Sequence, residues 1–446
     1  MTKRIFFFLS FIAILIGCSD DDSFTTSRDA KLTFSVDTVR LDTVFSNVGS
    51  STYSFWAYNY ASDGIRISKV SLRQGNQTGF RVNVDGDYLD NSLGSTITDL
   101  EVRKGDSIRV FVELTASPNK KDAAQLLSDD IVFQLESGVE QKMNLKAYTW
   151  DAVAIRDLVI SSDTLITSSS PIVVYGGITV NEGSTLILKN VDLYFHDKAG
   201  VQVKGTLVTD SVLMRGDRLD HMFSYLPYDR VSGQWEGIRF YGSSEGNIMH
   251  ATELRNGMYG IRCDSSLVSA DHQRLYLERC VIHNCKGIGM ELFHSYVGML
   301  NCQLTNSLGD CMMIYGGAMN IQNCTIAQFY PFSANRGVAF RFVNGYGKYD
   351  YPLVQLLCKN SIITGYADDE LFGTQTKENA AFEYQFENCL IRTPAVNDTV
   401  RFKNIIFERP TDEIQGKKHF VLIDEKNMKY DFHLDSLSTA KGMGCY

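Results

Sequence analysis

Four sets of residues in this chain carry side chains able to do chemistry. Cys280, Cys302 and Cys324 stand 22 residues apart, and thiols bind zinc or pair as disulfides. Asp368, Asp369 and Glu370 are contiguous acids, a start for a cation site or for acid–base cleavage of a sugar chain. Two stretches mix rings with charge. One runs through Phe223, Tyr225, Tyr228, Asp229 and Arg230 to Trp235, and the other holds Phe329, Tyr330, Phe332, Tyr346, Tyr349 and Tyr351. Exposed rings stack on sugar faces while polar neighbours bond hydroxyls, so the ligand-binding candidates are Tyr225, Tyr228, Asp229, Arg230 and Trp235. The competing expectation is that these rings cover coil surface or pack a long loop. His283 and His294, eleven residues apart, fall on different parts of a coil and read as structural.

The spacing of the cysteines defines the element that positions them. Arg279-Cys280-Val281-Ile282, Asn301-Cys302-Gln303-Leu304 and Asn323-Cys324-Thr325-Ile326 repeat one pattern, which returns as Asn388-Cys389-Leu390-Ile391 and, with Ser for Cys, as Asn360-Ser361-Ile362-Ile363. A period of 22 without helix-forming composition is one coil of a parallel β-helix. Equivalent residues then stack at about 4.8 Å. The thiols and Ile282, Leu304 and Ile326 enter a continuous core, and the preceding Asn sits at a corner where left-handed backbone is needed. About nine to eleven coils fit the length from residue 153 onward. A straight thiol stack cannot wrap a metal tetrahedrally, and its parallel Cβ vectors disfavour a disulfide torsion. The thiols therefore read as small apolar core residues. Nine cysteines besides Cys18 leave at least one unpaired. No cofactor, no metal and no catalytic residue is assigned.

Residues 30–150 alternate polar and apolar in short runs such as Leu32–Val36, Ile65–Val70 and Ser107–Leu114. Period-two alternation broken by turn residues, as at Gly105-Asp106, predicts an antiparallel sandwich of about seven strands. Asn119–Leu127 is read as a short helix or an irregular loop. The pieces Asp42-Thr43-Val44-Phe45 with Gly49, Tyr58-Asn59-Tyr60 with Asp63-Gly64, and Lys104-Gly105-Asp106-Ser107 resemble the Ig-like modules that precede larger domains in bacterial surface proteins. That resemblance implies a spacer.

The chain opens with Lys3 and Arg4 and an apolar run from Ile5 to Ile16. Twelve residues reach only about 18 Å as a helix, too short to span a bilayer, which reads as a secretory signal. Leu15-Ile16-Gly17-Cys18 resembles the lipobox of bacterial lipoproteins. The resemblance implies a signal peptide over 1–17, removed before Cys18, and acylation of Cys18. Ser19-Asp20-Asp21-Asp22-Ser23 heads an acidic tether over 18–29 and resembles the export signal of Bacteroidota surface lipoproteins. This implies lipid anchoring in the outer membrane, at the cell surface.

The segment 153–446 resembles the right-handed β-helix domains of such lipoproteins. Val180-Asn181-Glu182-Gly183-Ser184-Thr185-Leu186 matches their first coil, Gly233-Gln234-Trp235-Glu236-Gly237-Ile238 a coil start, and Phe432-His433-Leu434-Asp435-Ser436 their closing segment. The expected fold class is thus all-β: a β-sandwich followed by a right-handed parallel β-helix. Of 446 residues 44% are hydrophobic and 21% charged, enough for a large core. The net charge of −9 argues against a nucleic-acid partner. The paired-acid sets of polygalacturonases and the signatures of pectate lyases are missing. The expected partners are the membrane, through the anchor, and a glycan or another surface macromolecule, bound without catalysis. The alternative is a polysaccharide lyase or glycosidase, with Asp368 and Asp369 as candidate acids.

Overall fold

The computed structural model describes residues 23–75, 77–269, 272–409 and 416–445. Cys18, the apolar run before it and the acids Asp20–Asp22 lie outside the described residues. The chain forms two compact units, the first made of the residues through Asp151 with Leu219–Met222 and the second of Ala152–Arg218 with the residues from Phe223 onward.

The first unit is a β-sandwich of two five-stranded sheets. One sheet orders Leu32–Phe34, Tyr53–Asn59, Ser107–Leu114, Phe80–Val84 and Asp87–Tyr88; the other orders Thr38–Phe45, Glu140–Trp150, Gln125–Leu135, Ile65–Leu72 and Thr96–Val102. Pairing is antiparallel except between Thr38–Phe45 and Glu140–Trp150. Alternation does the work: Ile108, Val110, Val112 and Leu114 point inward from one sheet and Ile131, Phe133 and Leu135 from the other. Of the two expectations for Asn119–Leu127, neither a helix nor a loop alone holds. The Asp151 carboxylate accepts the N–H groups of Asn119 (3.0 Å) and Lys120 (2.5 Å), pinning irregular chain, and Gln125–Leu127 already belongs to a strand.

The second unit is a parallel β-helix. Three sheets run along it, and each coil visits them in turn. The first contains Val201–Val203, Ile238–Phe240, Ile261–Cys263, Phe340–Val343 and Leu371–Thr374, together with the leading parts of Met290–Leu300 and Met312–Gln322. The second contains Leu275–Glu278, Leu353–Lys359 and Gln385–Glu387, and the third Val281–His283, Gln303–Thr305, Thr325–Gln328, Ile362–Gly365 and Leu390–Arg392. In the third sheet Leu254, Ile282, Leu304, Ile326, Ile363 and Ile391 pair directly, coil on coil, and all are buried.

The corner between the second and third sheets explains the repeated motif. Arg279, Asn301, Asn323, Asn360 and Asn388 all take φ between 48° and 56°, the left-handed region that Asn tolerates best among residues with a Cβ. The residue that follows turns inward. Cys302 Sγ donates to Leu300 O (3.3 Å), Cys324 Sγ to Gln322 O (3.2 Å) and Ser361 Oγ to Lys359 O (2.7 Å). The serine replaces the thiol because the position needs a small donor, not sulfur chemistry. Cys280, Cys302 and Cys324 are free and buried. Cys280 is pushed up foremost by the hydrogen bond its thiol donates to Cys302, and Cys302 by burial, so both stay protonated and unreactive.

A second polar ladder has a cysteine, Cys285, after only one of its three members. Asn256, Asn284 and Asn306 occupy the corner leading out of the third sheet, with φ of 66°, 59° and 57°. They are buried, and Asn284 Nδ2 donates to Asn256 Oδ1 (2.9 Å). Beyond the coils, the hairpin Phe420–Asp424/Lys429–Leu434 lays Phe420 and Phe432 on Ala327, Phe329, Ile362 and Leu390. The closing segment is therefore a roof over the outward face of the third sheet.

Candidate functional site

The aromatic loop leaves the third sheet at Gly216 and enters the first sheet at Ile238. Its end is a plug rather than a binding surface. Trp235 is 1% exposed, lies nearly parallel to Phe195 at 4.5 Å and donates its indole N–H to Arg255 O (2.8 Å). This corrects the expectation that Trp235 stacks on a ligand: an indole with both faces in the core has none to offer. Asp229 is also committed. It meets Arg215 at 2.7 Å, Arg255 at 3.3 Å and Arg230 at 3.4 Å. Arg215 is buried, and that burial pulls its pKa down. Tyr228 is half-buried in a 3-10 turn over Tyr228–Arg230, with the Arg218 guanidinium 4.3 Å above its ring. Tyr225, 72% exposed, is the ring that faces solvent; it stacks with exposed Phe223 at 5.7 Å and 14°.

The loop delivers the chain to the outward face of the first sheet. Alternation buries Val201, Ile238, Ile261 and Met290 and turns the intervening residues outward. Gln202, Arg239, Arg262, Glu291, Met313 and Arg341 then stack in register on successive coils. Beside them run Tyr241, Asp264, Phe293 and Tyr315. Arg239 forks onto Asp264 at 2.9–3.2 Å and covers the Tyr241 ring at 4.6 Å. Phe293 and Tyr315 are stacked at 4.4 Å and 8°, and Tyr346 stands edge-on to both. Arg262 Nε lies 3.5 Å from Glu291 and 3.8 Å from Asp264. Burial raises Glu291 in spite of Arg262, and burial pushes Tyr259 and Tyr315 up to about 12, leaving them as neutral hydrogen-bonding phenols. A cleft of about 220 Å³ opens where Lys198, Gln202, Glu236, Arg239, Tyr241 and Tyr259 meet. These residues escaped the sequence reading because each coil contributes one or two, twenty or more positions apart. The available signal was the outward parity within each short strand.

The three contiguous acids have separate partners. Asp368 is exposed and lies 3.6 Å from Arg392. Asp369 accepts the Leu371 N–H (3.3 Å). Glu370 turns into the protein with no exposed surface and accepts the N–H groups of Ala339 and Ala367, both at 2.7 Å. Burial pushes it up to about 8, against those bonds and the fields of Arg392 and Arg336. His283 and His419 are also buried, and burial pulls them down to about 3 and about 4. His283 Nδ1 rests 2.8 Å from Thr305 Oγ1 and His294 Nδ1 3.3 Å from Ser266 O, so the two histidines do not meet.

These groups set a pH profile. The depressed histidines bind protons in the unfolded chain first, so stability falls as pH drops below about 6.5. The raised Glu370 holds a proton that the unfolded chain has released, so stability also falls as pH climbs from about 4.5 to 8. Two histidines outweigh one acid below about 6.5, which places the maximum near pH 6–7. Glu370→Gln should flatten the alkaline limb in urea melts at pH 6, 7 and 8.5. An unchanged limb would remove Glu370 as its cause.

Among the described residues, no group of three His, Cys, Asp or Glu side chains is placed to hold a metal ion, and no helix is long and apolar enough to cross a membrane. No curated protein matches the chain in sequence. Solved structures similar in part include the PapD-like domain 7 of human CEP192, at 10% identity over 30% of this chain and 94% of that one, with a TM-score of 0.19. A family 123 glycoside hydrolase from Clostridium perfringens matches at 8% identity over 28% of this chain and 26% of that one, with a TM-score of 0.18. The pilin subunit BcpA of Bacillus cereus matches at 11% identity over 31% and 43%, with a TM-score of 0.16. Residues 153–326 match the family model described as the right handed beta helix region, and the parallel coils of the second unit are a right-handed β-helix.

Proposed function

We propose that this chain is an outer-membrane lipoprotein, anchored through Cys18 and exposed at the cell surface, whose Ig-like module spaces a β-helix that binds an extended glycan without cleaving it. One observation carries the binding reading. The outward face of the first sheet lines up Gln202, Arg239, Arg262 and Glu291 in register, flanked by Tyr241, Tyr259, Phe293 and Tyr315. A row of hydrogen-bonding groups and rings repeating at about 4.8 Å suits a linear polymer of repeating hydroxyls. Exposed Phe223 and Tyr225 offer a second pair of rings.

Binding of the mature chain to a glycan panel, scored together with product release, tests this. Tyr225→Ala should weaken retention about 2- to 12-fold, the equivalent of about 0.5–1.5 kcal/mol for a ring contact, with the unfolding midpoint unchanged. Equal retention would remove that ring from the site. Cys18→Ala should move the protein from the membrane to the soluble fraction. The cleavage reading keeps one specific support: two acids, Glu291 and Asp264, converge on Arg262, and one of them is raised by burial, the arrangement acid–base cleavage uses. Release of reducing-end sugars, abolished by Glu291→Gln, would replace binding with hydrolysis.

A further inference from the structure

A smaller cavity opens at the corner between the third and first sheets. Arg230, His283, Asn284, Asn306, Phe332 and Tyr430 line it, so the aromatic loop, the second aromatic stretch and the closing hairpin all contribute. Its interior is about 10 Å³, room for one water-sized group.

The chemistry of the walls is one-sided. Asn306 is 1% exposed; its Oδ1 accepts the Phe329 N–H (3.1 Å), while its Nδ2 is buried with no acceptor. The Tyr430 hydroxyl is likewise buried and unpartnered. Arg230 stands at the mouth, paired at 3.4 Å with Asp229, a carboxylate it shares with Arg215 and Arg255. Glu253 adds one more acid, on Arg255. These three guanidiniums share Asp229 and Glu253, while Glu425 and Asp424 act on the Tyr430 wall. The field of Arg230 and Arg255, after burial, holds His283 neutral. Burial first, then the charges of Glu425 and Asp424, push Tyr430 up, and Glu425 is bonded by Tyr366. A buried amide N–H and a buried phenol O–H without partners, beside a guanidinium, fit a group that accepts hydrogen bonds and carries negative charge.

We propose that this cavity is the subsite for an anionic oxygen of the ligand, a carboxylate or sulfate group seated on Asn306 Nδ2 and the Tyr430 hydroxyl with Arg230 across its mouth, so that the glycan is an acidic one. The inference rests on the glycan reading for the polymer, and on the cavity alone for the anion.

The test uses the full chain with two probes. Glucuronate and inorganic sulfate, each against glucose, are titrated while the thermal midpoint and the amide spectrum are followed; the carboxylate and sulfate arms separate the two sources. The expected result is a rise in midpoint with at least one anion, none with glucose, and loss of the rise in Arg230→Gln. Tyr430→Phe removes a buried hydroxyl and keeps the ring; it should leave the fold intact and weaken anion binding at least about tenfold, one bond to a charged group. No response to either anion, or an equal response in both variants, overturns the subsite. The second probe is the glycan panel with carboxyl-reduced and desulfated partners. Retention of the acidic members only, falling with salt, supports the inference. Retention of the neutral partners just as well overturns it and leaves the glycan reading standing. An anion response with no glycan retained upholds the cavity and defeats that reading.

Discussion

Trp235→Ala should cost about 3–5 kcal/mol of stability, the range for emptying a large buried aromatic site. The indole packs flat against Phe195 at 4.5 Å in the core cluster that continues through Phe240 and Leu254. Its N–H is used by Arg255 O, so truncation also leaves that carbonyl without its donor. The residue closes the long loop back onto the first sheet. Gln234, next to it, donates to Tyr228 O and Val231 O, and the two together fix where Tyr225 and Arg230 project. Any loss of ligand retention should therefore come with loss of the loop's order. Trp235→Phe keeps most of the volume and should recover more than half of the stability, still without the indole bond. Urea unfolding of the three proteins measures the stabilities, and hydrogen exchange over 217–235 reports the loop. If Trp235→Ala unfolds at the wild-type midpoint yet no longer retains glycan, the ring is a ligand platform and not a plug in the core.

The legible parts of this chain were those in which one residue type answers to one geometric demand. Left-handed corners call for Asn, and the repeating Asn before Cys marked the corner on coil after coil. Parity within a strand sends Ile282, Leu304 and Ile326 inward, and three positions at a fixed period were enough to place a stack. The sandwich was legible for the same reason, through the alternation in Ser107–Leu114, although two sheets of five strands exceed the seven expected. Glu370 could not be read this way. Its neighbours Asp368 and Asp369 look like a solvated turn. Its burial depends on the N–H of Ala339, thirty-one residues earlier, and on Arg392 one coil later. Trp235 failed for a related reason: an indole flanked by Gln234 and Glu236 reads as exposed until Phe195 is placed behind it. The candidate face was hidden because its members are neighbours only along the coil axis. Arg262, Glu291 and Met313 become adjacent once the register of each coil is fixed, and coils of unequal length break the sequence period.

Arg392→Leu should destabilise the second unit by about 3–5 kcal/mol at neutral pH, the cost of leaving one member of a buried ion pair alone. Arg392 and Glu408 are both almost fully buried and meet at 3.1 Å. Arg392 Nε donates to Ala367 O (2.6 Å), and Thr364 Oγ1 donates to the other Glu408 oxygen (2.7 Å). His419 Nε2 lies 3.8 Å from that same oxygen, and its Nδ1 lies 3.0 Å from Ser438 Oγ. His419 sits at about 4, pulled down first by burial and then by the Arg392 charge. Without the guanidinium, His419 rises, and protonated it can neutralise Glu408 in place of the arginine. The variant then gains protons on folding that the wild type does not, so its deficit should shrink as pH falls from 8 to 5. Replacing both partners, Arg392→Leu with Glu408→Leu, removes the stranded charge and should recover a large part of the loss, because two apolar groups of similar volume can substitute for a buried pair. Denaturant midpoints of wild type, single and double variants at pH 5 and pH 8 decide the matter. A single-variant deficit that is equal at both pH values and deepened by the second substitution would show that His419 and Glu408 do not respond to Arg392, and that the buried cluster is held by the packing of the closing hairpin alone.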